Sequence, residues 1–108
     1  MEITMRYVRG HVEVYTAAGQ FLFSADTEAE AAAMLDRLYA ALGGKTDVVS
    51  EKAFADDAKI GDWARGSVYA MRQTGIMQGK ENNQFCPTDG YTAEQSIVTI
   101  ERMYQIIK

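Results

Sequence analysis

The sequence predicts an α+β fold, in which a small antiparallel β-meander with one helix is followed by a mainly helical unit. Between Ile3 and Val14 apolar and polar residues alternate, as they do in strands with one buried face. After Asp26 the apolar residues recur instead at spacings of three and four, which is typical of helices that bury one face. The chain therefore changes from strand to helix about a quarter of the way along its length.

Short antiparallel strands are predicted for residues 3 to 24. Gly10 interrupts the alternating pattern, as a turn or a bulge would. Residues 17–20 predict a second turn, and the apolar residues 21–23 that follow it form a strand ending at Ser24.

A capping box predicts where the first helix begins. Thr27 and Glu30 are three residues apart, so each side chain can accept a hydrogen bond from the other residue's backbone N–H group. Gly43 and Gly44 are expected to end this helix. Its predicted packing face consists of Met34 or Leu35, Leu38, Tyr39 and Leu42.

The second helix is predicted to begin after Asp62, which can cap it, and to end at Gly75. Its apolar residues Ala64, Val68 and Met71 recur at helical spacing.

A loop rich in turn-forming residues follows. Gly79, Asn82 and Asn83 suit a left-handed backbone, and Phe85 returns an aromatic ring to the core before Pro87.

A second capping box, Thr92 with Gln95, predicts the start of the last helix. The face predicted to pack, or to contact another subunit, consists of Ile97, Ile100, Tyr104 and Ile107. The organisation predicted is one compact unit made of a meander with a helix (residues 1–44), a connection (45–53) and a helical repeat (54–108).

Composition and charge limit the function. The 108 residues are 47% hydrophobic and 24% charged, which is typical of one small globular unit, and the net charge is −4. Residues 1–50 hold four Lys and Arg against seven Asp and Glu. This imbalance argues against a nucleic-acid partner and favours a basic protein partner, for which Glu28, Glu30 and Asp36 are candidate contacts.

The sequence contains few residues that could act as catalytic groups. His11 is the only histidine and has no nucleophile near it in sequence. Cys86, the only cysteine, is predicted to be a buried, inert thiol, and it excludes an intrachain disulfide. Phosphate-loop, nucleophile-elbow, dinucleotide, calcium and zinc patterns are absent, so we expect no enzyme, no cofactor and no metal.

The order of short motifs in the second half resembles one S-layer homology repeat, covering Phe54 to about Tyr104, whereas residues 1–50 are not covered and show no second repeat. The motifs are Phe-x-Asp at 54–56, Asp-Trp-Ala at 62–64, Gly-Ile-x-x-Gly at 75–79, Phe-x-Pro at 85–87 and Thr-x-Glu-Gln at 92–95.

This resemblance implies a module that holds the bacterial cell wall. In the family, three repeats surround a pseudo-threefold axis, and the grooves between them bind a wall polysaccharide that carries pyruvate. An arginine in a Thr-Arg-Ala-Glu segment commonly supplies the positive charge. Ala93 stands at that position here, so Arg65, Lys80 and Arg102 are the candidates to replace the charge.

Trp63 is a further candidate binding residue, although packing between the two helices is the favoured interpretation of its ring. On that interpretation, Trp63→Ala is predicted to destabilise the protein by about 3 to 5 kcal/mol.

Two functions follow from these observations. The first is a small acidic intracellular protein that binds another protein, one form of which is an inhibitor of a basic nucleic-acid-handling protein of the kind that concerns mobile elements. The alternative is a module that binds pyruvylated cell-wall polysaccharide. A homotrimer that rebuilds the threefold arrangement is a third, structural possibility.

The expected location depends on the same choice. The first residues contain no apolar run that resembles a signal peptide. As written, the chain is expected in the cytoplasm, or at the cell surface if an export signal has been removed, with no membrane partner.

Overall fold

The structure, a computed structural model, describes residues 3–8, 11–44 and 53–107 and confirms the predicted α+β fold. Its elements are β1 (Ile3–Val8), β2 (His11–Thr16), β3 (Phe21–Ala25), α1 (Glu28–Ala41), α2 (Asp62–Thr74) and α3 (Ala93–Ile107). Short 3-10 turns occupy Asp57–Lys59 and Glu81–Asn83. The predicted turn at Gly10 and most of the predicted connection, residues 45–52, lie outside the described residues.

The three strands form an antiparallel sheet with β2 in the centre. Val12 and Val14 of β2 are fully buried, and they share one face with Phe23 of β3. The turn between β2 and β3 is as predicted, because the Thr16 N–H donates to the Gln20 carbonyl at 2.8 Å. One apolar face of the meander therefore meets the rest of the core.

Helix α1 begins at the predicted cap, Thr27, with one half of the predicted capping box. The Thr27 hydroxyl accepts the Glu30 N–H at 3.2 Å and donates to the Glu30 carboxylate at 3.3 Å. The helix ends before Gly43, which is left-handed with φ of 91°. Leu35 and Tyr39 are buried, and α1 contacts both β3 and α2.

Helix α2 buries its predicted row and ends at its predicted glycine. Ala64, Val68 and Met71 are all inaccessible, and Gly75 adopts φ of 82°. The prediction that Asp62 caps the helix is wrong, because Gly61 occupies the cap without a side-chain hydrogen bond and Asp62 is the first helical residue.

The Asp62 carboxylate has another use, since it accepts a hydrogen bond from Arg65 one turn later. A carboxylate in the first turn of a helix is also stabilised by the helix dipole.

The loop after α2 takes the backbone conformations that its residue types suggest. Gly79 has φ of 86°, and Asn82 and Asn83 have φ of 60° and 55°. Phe85 is 1% exposed, as predicted for a core ring. Cys86 corrects a prediction: it is only partly buried, and it adopts φ of 57°.

Asp56 explains the unusual backbone at Cys86. Its carboxylate is buried, and its two oxygens accept the N–H groups of Phe85 at 2.9 Å and Cys86 at 2.8 Å. Burial alone would raise the pKa of Asp56, but these backbone hydrogen bonds outweigh it, and the pKa lies below its ordinary value. The first residues of the repeat are thereby tied to the end of its loop.

Helix α3 packs through three of the four residues predicted for its face. Ile100 is buried, and Tyr104 and Ile107 are partly buried against the core, but Ile97 is 49% exposed. Ser96 and Thr99, which were not predicted to pack, are almost inaccessible. The polar residues can enter the core because their hydroxyls are paired: Ser96 donates to the Ala93 carbonyl at 2.6 Å, and Thr99 lies 2.6 Å from the Tyr91 hydroxyl. A pattern of apolar residues cannot reveal this pairing.

Both halves of the chain contribute to one cluster of buried side chains. It includes Val12, Phe23 and Leu35 from the first half and Val68, Phe85 and Ile100 from the second. The sheet, α1 and the helical repeat consequently share a core.

Candidate binding cleft

A cleft of about 240 Å³ opens where the start of α1, the loop after α2 and helix α3 meet. Its lining consists of Glu28 from α1, residues 77–80 and Phe85 from the loop, and Glu94, Gln95, Val98, Thr99 and Arg102 from α3. The walls thus combine apolar side chains with two cationic and two carboxyl groups. Two of the candidate cations, Lys80 and Arg102, lie in this one cleft.

Backbone hydrogen bonds fix α1 against the loop on one side of the cleft. The Glu28 N–H donates to the Asp89 carbonyl at 2.9 Å, and the Ala29 N–H donates to the Pro87 carbonyl at 3.1 Å. These bonds satisfy N–H groups at the start of a helix, which have no partner within the helix itself. The first half of the chain therefore supplies a fixed wall of the cleft.

Glu28 is a buried carboxyl group in that wall. Its side chain is 4% exposed, and within the described residues its Oε1 atom has no hydrogen-bond partner. Burial raises the pKa of Glu28 to about 7, although the charge of Lys80 and a hydrogen bond with Gln95 act in the opposite direction. Near neutral pH both protonation states of Glu28 are therefore populated.

Lys80 lies in the loop with its ammonium group paired. The Nζ atom is 2.8 Å from Oδ2 of Asp89, and this hydrogen bond is the main reason that the pKa of Lys80 is raised. About a third of the side chain is exposed, so the ammonium group can meet a ligand without leaving its position.

Arg102 lies on α3, where its Nη1 atom donates to the Ile76 carbonyl at 3.2 Å. This contact orients the guanidinium group and uses one of its five N–H donors. The remaining donors suit a carboxylate, which a guanidinium group can bind through two parallel hydrogen bonds.

Arg65 does not line the cleft. Its guanidinium group bonds the carboxylates of Asp57 and Asp62 and the carbonyl oxygens of Asp57 and Ile60, the last at 2.9 Å. These bonds hold the turn that leads into α2. The structure therefore gives Arg65 a structural role in the turn.

Trp63 is not in the core. Its side chain is 65% exposed, so the prediction that its ring packs between the helices is wrong. Trp63 is the second residue of α2, one position before the buried row begins at Ala64. The indole lies over Gly61, where a Cβ atom would come within 2.6 Å of the indole nitrogen, so any larger residue at position 61 would require the exposed ring to shift.

The three acidic candidates from the first half lie in different environments. Glu28 lines the cleft, Glu30 belongs to the capping box of α1, and Asp36 accepts the Ser67 hydroxyl at 2.9 Å between α1 and α2. Their role as contacts for a basic protein stays a prediction.

Ala93 is the partly exposed first residue of α3, directly before two lining residues. The predicted capping box is present there: the Gln95 N–H donates to the Thr92 hydroxyl at 3.1 Å, and the Thr92 N–H donates to the Gln95 side chain at 2.9 Å. An arginine at position 93 would therefore start from the rim of the cleft.

Sequence reasoning named Glu28, Lys80 and Arg102 separately and for different reasons. No sequence signal indicates that they share a cleft, because the contact between α1 and the loop joins residues about sixty positions apart. Gln95, which interacts with Glu28, was recognised only as a capping residue.

Comparison with known proteins identifies the class of the second half. Residues 53–90 match the S-layer homology domain, a binding module without catalytic function. This match agrees with the resemblance that the motifs of residues 54 to about 104 predicted, and it covers residues 53–90. The cleft lies between this repeat and α1.

One similar protein is an amylopullulanase from Thermoanaerobacterium thermosulfurigenes, which is 34% identical over 56 residues. The matched stretch covers 52% of this chain, and the chain spans about 3% of the length of that enzyme. No solved structure matches the chain. Within the described residues, no helix is long and apolar enough to cross a membrane.

Proposed function

We propose that this chain is a cell-wall-binding module whose cleft takes the acidic group of a pyruvylated wall polysaccharide. The observation that carries the proposal is that Lys80 and Arg102, two candidates for the missing arginine charge, line one cleft of the S-layer homology repeat. The cell surface is then the place where the module acts.

The chemistry of the cleft suits such a ligand. Arg102 can hold a carboxylate through two hydrogen bonds, and Lys80 adds a second positive charge. Val98, which lines the cleft and is 42% exposed, offers apolar surface to the methyl group of a pyruvate acetal or to the C–H groups of a sugar ring. The volume suits one substituted sugar unit, with the polymer continuing outside.

The similarity to an S-layer homology domain supports this role over the first hypothesis drawn from the sequence. Neither the structure nor the comparisons offer support for an intracellular inhibitor. Binding of a protein partner and assembly into a homotrimer stay predictions.

The proposal is tested by cosedimentation with pyruvylated wall polysaccharide at fixed salt and pH. Lys80→Gln and Arg102→Gln remove one charge each from the cleft, and we expect each to weaken binding by roughly 10-fold to 100-fold. Arg37→Gln is the matched control, because Arg37 is exposed on α1 and does not line the cleft. Depyruvylated polysaccharide should not sediment the protein.

A natural protein that does not sediment with the pyruvylated polymer, or a double variant that binds as the natural protein does, would contradict the proposal. The Ala93→Arg variant tests whether the groove itself can bind the polysaccharide. Tighter binding by this variant than by the natural protein would indicate that the added guanidinium group reaches the same ligand. Binding by the variant alone would mean that the groove is intact but the natural sequence no longer uses this ligand.

A further inference from the structure

The carboxyl group of Glu28 is unusual for a buried acid. Buried carboxylates are normally paired or hydrogen-bonded, because an unpaired buried charge is costly. Glu28 is 4% exposed and its Oε1 atom has no partner within the described residues, yet backbone bonds hold the residue firmly in the cleft wall. It also lies outside the stretch that matches the S-layer homology domain.

The groups around Glu28 come from three parts of the chain. The loop contributes Lys80, which is paired with Asp89, the segment before α3 contributes Tyr91, and the first turn of α3 contributes Gln95. Glu94 and Arg102 line the same cleft from α3, and on α1 itself Glu30 is turned toward Thr27.

In this arrangement the ionisation of Glu28 decides the net charge of the groups that line the cleft. When Glu28 is neutral, Lys80 and Arg102 face Glu94 and the paired Asp89, and the charges balance. When Glu28 is ionised, a further negative charge lies beside Lys80 and repels any anion that approaches it.

We infer that Glu28 couples ligand binding to proton uptake, so that the cleft binds an anionic sugar group when Glu28 is a neutral carboxylic acid. The proton comes from solvent and stays on Glu28 while the ligand is bound. This inference rests on the proposed function and restricts the class of ligand that the cleft can bind. The ligand needs an acid strong enough to remain ionised where Glu28 is protonated, as the carboxyl group of a pyruvate acetal is.

The raised pKa of Glu28, about 7, places the change in its protonation near neutral pH. An anion beside Glu28 raises its pKa further, so affinity must fall as the pH rises through 7. Lys80, whose pKa is raised mainly by its hydrogen bond with Asp89, keeps its charge over this range, and so does the strong acid of the ligand.

The test is calorimetric titration of the full chain with soluble pyruvylated wall-polysaccharide fragments at pH 5.5, 7.0 and 8.5. We expect the affinity of the natural protein to fall by about 10-fold or more between pH 5.5 and 8.5. The Glu28→Gln variant, which is neutral at every pH, should bind at pH 8.5 about as tightly as the natural protein binds at pH 5.5.

Glu101→Gln is the matched control, because Glu101 is exposed on α3 and outside the cleft lining, and it should keep the pH dependence of the natural protein. The inference is overturned if the natural protein binds equally at all three pH values, or if Glu28→Gln keeps the full pH dependence. Absence of binding at every pH would overturn the proposed function as well, so the two failures are distinguishable.

A second measurement does not depend on the folding of a variant. The carboxyl carbon of Glu28 in the natural protein can be titrated by NMR with and without saturating fragments. We expect its midpoint to move to higher pH when the fragments are bound. An unchanged midpoint would overturn the coupling.

Discussion

Asp56 and Glu28 are both buried carboxyl groups, but their surroundings give them opposite properties. Asp56 accepts hydrogen bonds from two backbone N–H groups and has a lowered pKa. Glu28 has a raised pKa, and one of its oxygen atoms has no partner in the part of the chain that the structure describes. Asp56 belongs to the S-layer homology repeat, and Glu28 belongs to the helix that packs against it.

The difference shows how structural and binding roles divide in this protein. The motif residue Asp56 uses its charge to hold the loop, so its charge is compensated inside the fold. The charge of Glu28 is compensated only in part, by Lys80 and Gln95, which leaves the ionisation of Glu28 sensitive to a charged ligand in the cleft. The proposed ligand site thus lies where the repeat meets the first half of the chain.

The largest effect is expected from removing the Asp56 carboxylate. Asp56→Ala leaves the buried N–H groups of Phe85 and Cys86 unpaired, and we expect the free energy of unfolding to fall by about 3 kcal/mol. Urea denaturation at pH 7 measures it. Asp62→Ala is the control, because it removes an exposed ion pair and should cost about 1 kcal/mol or less. Equal losses in the two variants would contradict the structural role of Asp56.

The opposite sign is expected at Glu28. Its pKa rises from 4.5 to about 7 on folding, so the stability it contributes is present below about pH 4.5 and is lost as the pH rises through 7. Glu28→Gln should therefore stabilise the protein by about 2 kcal/mol at pH 8 and have little effect at pH 4. Thermal denaturation at the two pH values checks this, and the same gain at both would show that ionisation is not the cause.

A smaller loss is expected from the cap that precedes Glu28. Thr27→Ala removes the hydroxyl that accepts the Glu30 N–H and should cost about 1 kcal/mol. Thr92→Ala removes the equivalent cap of α3 and should cost a similar amount. We expect α1 to loosen at the cleft only in the Thr27 variant, which amide hydrogen exchange at Glu28 and Ala29 would detect. Faster exchange there in the Thr92 variant alone would contradict this.

The smallest effect is expected at Trp63. Because its ring is 65% exposed, Trp63→Ala should lower the free energy of unfolding by less than about 1 kcal/mol, and not by the amount predicted for a core ring. Urea denaturation distinguishes the two values. A loss near 3 kcal/mol would mean that the ring packs in solution.

Local structure was predictable from the sequence wherever one residue type has a strong backbone preference. The Thr27 cap of α1, the capping box of α3, the left-handed residues from Gly75 to Asn83 and the buried row of α2 all lie where the pattern predicts them. The errors arose where a local pattern allowed two outcomes. Asp62 could cap the helix or pair with Arg65, and the aromatic ring of Trp63 could face inward or outward.

The sequence by itself determined the α+β order of elements, the repeat motifs and the candidate cations. Capping hydrogen bonds and the periodicity of apolar residues depend on residues only a few positions apart, so a short stretch of sequence is enough to predict these features. Only the tertiary structure decided which charged side chains lie next to one another. The backbone bonds between the start of α1 and the 87–91 segment bring Glu28 beside Lys80, and burial at that contact, which no local pattern encodes, changes the acidity of Glu28.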